Sequence, residues 1–321
     1  MALIRKVPLE PEFDFLSRRS LLIGFSVVLV LISLALFAVR GLNLGVDFRG
    51  GILMEIRTAG PANLADLRSR LTGLGLGEVT LQEFGTETDV LINVERQEGD
   101  EGAQITAINA VKAELGGSVV EYRRVEFVGP KVGGELKRAG ALATGLALLG
   151  IALYIWFRFE WQFALAALTA LVHDVLATIG FFALLQIEFN LATLAAVLTV
   201  AGYSINDTVV IFDRVRETLR KYKKLPMFDL LNMAINRTLS RTTLTSVTTL
   251  LALISLAVFG GAVIRGFCLG LIWGVVIGTY SSIGLAVPLL SFMNLRGALP
   301  GSAEAEQAKS SGRAPAAQKA P

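Results

Sequence analysis

The chain has 321 residues, of which 53% are hydrophobic and 18% charged, and its 30 basic and 27 acidic side chains leave a net charge of +3. A soluble domain carries about 25% charged residues, so this composition excludes disorder over most of the length and points to a surface that faces lipid. Cys268 is the only cysteine and His173 the only histidine, which excludes a disulfide framework and leaves too few ligands for a zinc site.

Residues 1–20 carry Arg5, Lys6, Arg18 and Arg19 and read as a cytoplasmic segment. The first transmembrane helix is expected over 21–40, where Leu21 to Val39 holds no charge. Residues 41–137 then change character. The Gly-rich approach Gly41 to Gly51, with Gly45, Asp47, Gly50 and Gly51, suits a hinge or a tight turn, or equally an ordered connector. Ile52–Thr58 alternates as a strand does, and Leu64, Leu67 and Leu71 recur at helical spacing after Pro61. Val79–Phe84 and Val90–Val94 read as strands around a turn at Gly85–Asp89. Ala103–Leu115 reads as a helix with Ile105, Ile108 and Val111 on one face, and Val119–Val128 as a last strand. The order is βαββαβ, the ferredoxin-like α+β arrangement. It has no Cys, no His and no nucleophile elbow, so contact with another polypeptide is the expected role.

Residues 138–293 are expected to form a five-helix transmembrane bundle. The apolar runs are Ala139–Phe157, Gln162–Ile187, Phe189–Phe212, Thr242–Val263 and Gly266–Phe292. With the first run they make six, each near the ~20 residues that cross a ~30 Å hydrocarbon layer. The fold class is therefore a polytopic α-helical membrane protein with an external α+β domain between helices one and two. A basic loop is expected over 213–241, with 8 basic and 3 acidic residues. Residues 294–321, rich in Ala, Ser, Pro, Gln and Lys, read as a disordered cytoplasmic tail. Positive loops stay in the cytoplasm. Both termini are thus placed inside and 41–137, with 10 basic and 15 acidic residues, outside.

Few ionisable groups lie within the spans, and such groups are costly enough to suggest function. Asp207 lies in the cytoplasmic half of the fourth span beside Asn206. His173 and Asp174 lie near the middle of the third, and Arg241 opens the fifth within reach of Asp207. Arg241, Thr245, Thr248 and Thr249 share a helix face. A buried carboxylate with an arginine and a hydroxyl stripe has the make-up of a proton relay. The same groups suit a polar network that glues helices, and His173 suits a role of orienting Asp174. Gly266, Gly270, Gly274 and Gly278 recur every four residues in the sixth span and form a close-packing face, within the chain or toward a partner.

Three blocks together resemble the SecF family, the smaller-subunit branch of the SecD–SecF translocase accessory proteins in the RND-like superfamily. They are Gly45-Val46-Asp47-Phe48-Arg49-Gly50-Gly51, the run from Ala201 through Asp207 to Glu217, and Arg241-Thr242-Thr243-Leu244-Thr245-Ser246. The resemblance implies half of a pseudo-symmetric bundle in the bacterial cytoplasmic membrane, completed by SecD. It implies assistance to preproteins crossing the SecYEG channel, driven by the proton-motive force, with Asp207 as the membrane carboxylate and Arg241 as its coupled arginine. No cofactor is expected beyond the coupling ion, a proton with sodium as the alternative, and no nucleic acid partner and no covalent catalysis. Two rivals stand beside it. One is an intramembrane aspartyl protease using Asp174 and Asp207 as a dyad, and the other is a scaffold that conducts nothing.

Overall fold

The computed structural model of the chain describes residues 12–84 and 86–296. The expected cytoplasmic segment 1–20, the turn residue Gly85 and the expected tail 294–321 therefore lie partly or wholly outside the described residues. Among the described residues, six helices are long and apolar enough to cross a membrane. They are α1 (Arg19–Arg40), α5 (Pro130–Arg158), α6 (Trp161–Leu185), α7 (Leu191–Lys221), α8 (Met227–Phe259) and α9 (Ala262–Ser281). The last continues through a π-helical turn, Ser282–Ala286, into α10 (Val287–Leu290). Between α1 and α5 lie the short α2 (Val46–Arg49) and the external domain: β1 (Gly51–Thr58), α3 (Leu64–Thr72), β2 (Val79–Phe84), β3 (Thr86–Val94), α4 (Glu101–Leu115) and β4 (Val119–Val128).

The helices outrun their apolar cores. The stretch 213–241, expected as a basic loop, is helical except for 222–226, because α7 and α8 project beyond the apolar layer. Hydropathy marks only the part of a helix that needs lipid. The projecting part is held by charge: Arg158 pairs with Asp213 at 2.9 Å and Arg216 with Glu160 at 2.9 Å. Beneath them Phe159, Phe163 and Phe212 meet edge to face or tilted. Burial divides the bundle into two sets. The most apolar stretches of α6, α7 and α9 are 50%, 44% and 61% buried, while those of α1, α5 and α8 are 11%, 6% and 11%.

The external sheet has the order β2-β3-β1-β4 with every neighbouring pair antiparallel, as a ferredoxin-like sandwich requires. Its inner face packs Ile52, Met54, Ile56, Leu81, Val90 and Ile92 against Leu67, Leu71 and Val111 of the two helices. Asn63 and Asp100 cap those helices by accepting from the backbone N–H of Asp66 and Ala103. Two expectations are corrected here. The residues after Gly85, read as a turn, start β3 at Thr86. Their polarity is accommodated in the ladder, where buried Asp89 accepts from Arg57 at 2.9 Å and Arg123 at 3.0 Å. The buried face of α4 is Gln104, Ala107, Ile108, Val111 and Leu115, and Ile105 is exposed. Gln104 tolerates burial because both ends of its amide bond the Gln97 backbone.

Candidate functional site

Asp174, with no exposed surface, is the centre of a node built by three helices. His173 Nδ1 lies 2.8 Å from its Oδ1. Ser204 of α7 and Ser281 of α9 both donate to its Oδ2, the latter at 2.6 Å. One layer away Thr208 and Ser282 share a hydrogen bond of 2.8 Å. Four hydroxyls so placed fulfil the rule that buried polar groups are paired. His173 Nε2 is the exception: it is buried with no hydrogen-bond partner among the described residues.

The helices come close enough for this because of the small-residue face. A Cβ on Gly266, Gly270, Gly274 or Gly278 would lie 3.1 Å from Ile187, 2.6 Å from Phe182, 2.0 Å from Val200 and 3.0 Å from Ser204, respectively. The face is therefore used within the chain, against α6, α7 and the turn between them.

Asp207 lies three residues beyond Ser204 on α7 and is 3% exposed. Its Oδ2 is buried with no hydrogen-bond partner among the described residues, as is the Oγ1 of Thr242 on α8. Arg241 acts on Asp207 electrostatically but makes no ion pair with it within 4.0 Å. Arg241 and Asn206 are both exposed on the outside of the chain. The hydroxyl stripe divides. Thr245, Thr248 and Thr249 donate to carbonyls of their own helix. Thr242 and Ser246 instead face the interior, where Ser246 meets Thr279 of α9 at 2.7 Å.

At the other end of α7 sits the Gly-rich segment. Asn190 caps α7 with Thr193 in a reciprocal pair. Asp47 Oδ2 accepts from the Leu191 N–H at 2.9 Å, so the helix N-terminus is held by a carboxylate from α2. Backbone bonds from Gly45 N–H to Phe189 O and from Phe189 N–H to Asn43 O tie the segment to the α6–α7 turn. Phe48 stacks on Phe189. Gly50 and Gly51 have φ of 77° and 136°, and a Cβ on Gly51 would lie 2.6 Å from Val94 O. Glycine is needed at both. Glu188, which sequence reasoning did not single out, lies in the same turn, half-buried, and accepts from Asn93 Nδ2 of β3 at 3.3 Å.

The family model described as protein export membrane protein SecD/SecF, C-terminal, matches residues 108–296, and the SecD/SecF GG motif matches 35–62. The chain is 45% identical over 291 residues to protein translocase subunit SecF of Rickettsia felis, covering 90% of this chain and 94% of that one. It is 45% identical over 300 residues to protein translocase subunit SecF of Cereibacter sphaeroides, covering 91% and 93%. Its fold matches the crystal structure of SecDF, a translocon-associated membrane protein from Thermus thermophilus, with a TM-score of 0.79 at 32% identity over 89% of this chain. The chain spans 39% of the length of that SecDF chain. A second SecDF structure, in a super-membrane-facing form, matches with a TM-score of 0.65.

Proposed function

Because the chain belongs to the SecF family of protein translocase subunits, we propose that it couples ion entry at Asp207 to movement of its external domain. It is a multi-pass bacterial membrane protein and a Sec translocation accessory subunit. In the proposed arrangement both termini are cytoplasmic and residues 41–137 extracytoplasmic. A SecD chain supplies the other six-helix half, and the pair assists preproteins leaving SecYEG.

The observation that carries this reading is a carboxylate 3% exposed inside a span with Oδ2 unpartnered among the described residues. A buried charge is ordinarily paired, so Asp207 is poised to take up a proton, or a sodium ion, from outside. Protonation cancels the attraction of Arg241, and α7 and α8 repack. Asp207 is 16 residues, about 24 Å, along α7 from Leu191, whose N–H Asp47 holds. One rigid helix thus reaches from the carboxylate to the root of the external domain. One charge crossing ~100 mV is worth about 2.3 kcal/mol, which shifts a two-state equilibrium about fifty-fold. In this proposal Asp174 and His173 form the fixed point around which α6, α7 and α9 stay packed, and Asn206, exposed on the outer face of α7, meets the SecD half.

Asp207→Asn in vesicles that hold the SecD-bound complex tests the reading. Preprotein export and ion flux should both fall at least tenfold while the complex still assembles. Wild-type export and flux would refute it, and export without flux would favour the scaffold. The aspartyl dyad gains no support, since both Asp174 oxygens already have partners.

A further inference from the structure

We propose that Glu188 and Asn93 form a proton-operated latch between the external domain and the membrane bundle. When Glu188 carries a proton, its O–H donates to Asn93 Oδ1 and closes a two-bond ring. When it is ionised, only the bond from Asn93 Nδ2 remains. The proposal rests on the reading that the external domain moves.

Three observations converge on it. Asn93 belongs to β3 of the external sheet and Glu188 to the α6–α7 turn, so their hydrogen bond of 3.3 Å ties the two parts together. Asn93 Oδ1 is buried with no hydrogen-bond partner among the described residues. A carboxylate, which only accepts, cannot satisfy that oxygen, whereas a carboxylic acid can. The Glu188 carboxylate also rests on Gly45, where a Cβ would lie 2.4 Å from Oε1. This explains a glycine whose own backbone is extended.

Clefts of about 710 and 720 Å³ both reach Glu188, the first of them lined by Asn93 as well, and give water access to the carboxylate. The charged groups facing them come from every neighbouring element. The α2 segment offers Asp47 and Arg49, α5 offers Lys137 and α9 offers Arg265. The sheet and its loops offer Glu78, Glu95, Arg96 and Glu98 in the first cleft, and Glu55, Glu83, Arg124 and Glu126 in the second. Among these, Asp47 bears on Glu188. Burial and then the Asp47 charge push the Glu188 carboxyl above its usual 4.5, against the opposing bond from Asn93. A raised value in the docked state means that docking takes up a proton. Docking is strongest in acid and weakens as the external pH rises through the raised value.

Spin labels at Arg68→Cys and Phe259→Cys, with Cys268→Ala, read the distance from the external domain to the outer end of α8. The sample is the full chain with a cysteine-free SecD partner in nanodiscs and no ion gradient. The wild type should show a docked population that grows severalfold as pH falls from 8 to 5. Glu188→Gln, whose amide can close the same ring, should stay docked throughout. Asn93→Leu should dock less at every pH, because the bond to β3 is gone, while keeping a pH response, because burial and the Asp47 charge still act on Glu188. A wild-type population that ignores pH, or a pH response unchanged in Glu188→Gln, would overturn the latch. Repeating the series in Asp207→Asn separates the two readings. The latch should still titrate there whether or not export is lost, while normal export by Asp207→Asn refutes the coupling proposal alone.

Discussion

Removing the Asp174 carboxylate strands donors on three helices at once, because His173, Ser204 and Ser281 all bond to it. Breaking a buried charged network by deleting one partner costs about 3–5 kcal/mol. Asp207 differs, because its Oδ2 has no partner among the described residues to lose. Asp174→Ala should therefore lower the melting temperature of the purified protein by roughly 10 °C, and Asp207→Asn by little. Differential scanning fluorimetry in detergent separates them, and equal shifts would contradict the division into a packing carboxylate and a working one. Both aspartates were legible in the sequence as charges inside apolar runs. Their difference was not. It depends on Ser281, 107 residues from Asp174, and no local pattern carries a contact at that separation. Glu188 escaped notice for the related reason that a carboxylate between two spans looks like a solvated loop residue. The sheet and the Gly45 segment, both distant in sequence, make it half-buried.

At the scale of elements, the four-residue glycine spacing was legible as a packing face, but its partner was not. Helix periodicity says which residues share a face and not what the face meets. The structure sets it against Phe182, Val200 and Ser204. The cost of a methyl group there should follow the room available. Gly274 has the least, with a Cβ 2.0 Å from the side chain of fully buried Val200, and Gly266 the most, at 3.1 Å from Ile187. Overpacking a tight core costs about 1–3 kcal/mol. Gly274→Ala should sit at the upper end and Gly266→Ala near or below the lower, as measured by unfolding in mixed micelles. The reverse order would mean that α9 packs elsewhere. The ends of α7 and α8 were illegible for a physical reason. Lipid demands apolar residues only across its own thickness, and beyond it a helix continues on capping, ion pairs and propensity, which resemble a loop in hydropathy.

The whole chain leaves polar groups on the outside of its own bundle. Asn206 on α7 and Arg241 on α8 are exposed, although both lie in or at the edge of spans. Polar and ionisable side chains within a span face protein or a water-filled cavity rather than lipid, so a protein surface is the fitting neighbour. Gly202, one turn before Asn206 on α7, is exposed too, and a Cβ there would meet nothing within 4 Å. That makes it a clean probe of the proposed partnership. Gly202→Leu adds bulk where the lone chain has open space and replaces a poor helix former, so the fold itself should be unharmed or slightly firmer. Against a closely packed second half the same side chain must collide. Co-purification with SecD should therefore fall at least tenfold, with the lone chain's melting temperature unchanged or raised. If the variant still binds SecD at wild-type levels, this face of α7 looks toward lipid, and the exposed Asn206 and Arg241 must be satisfied by headgroups instead.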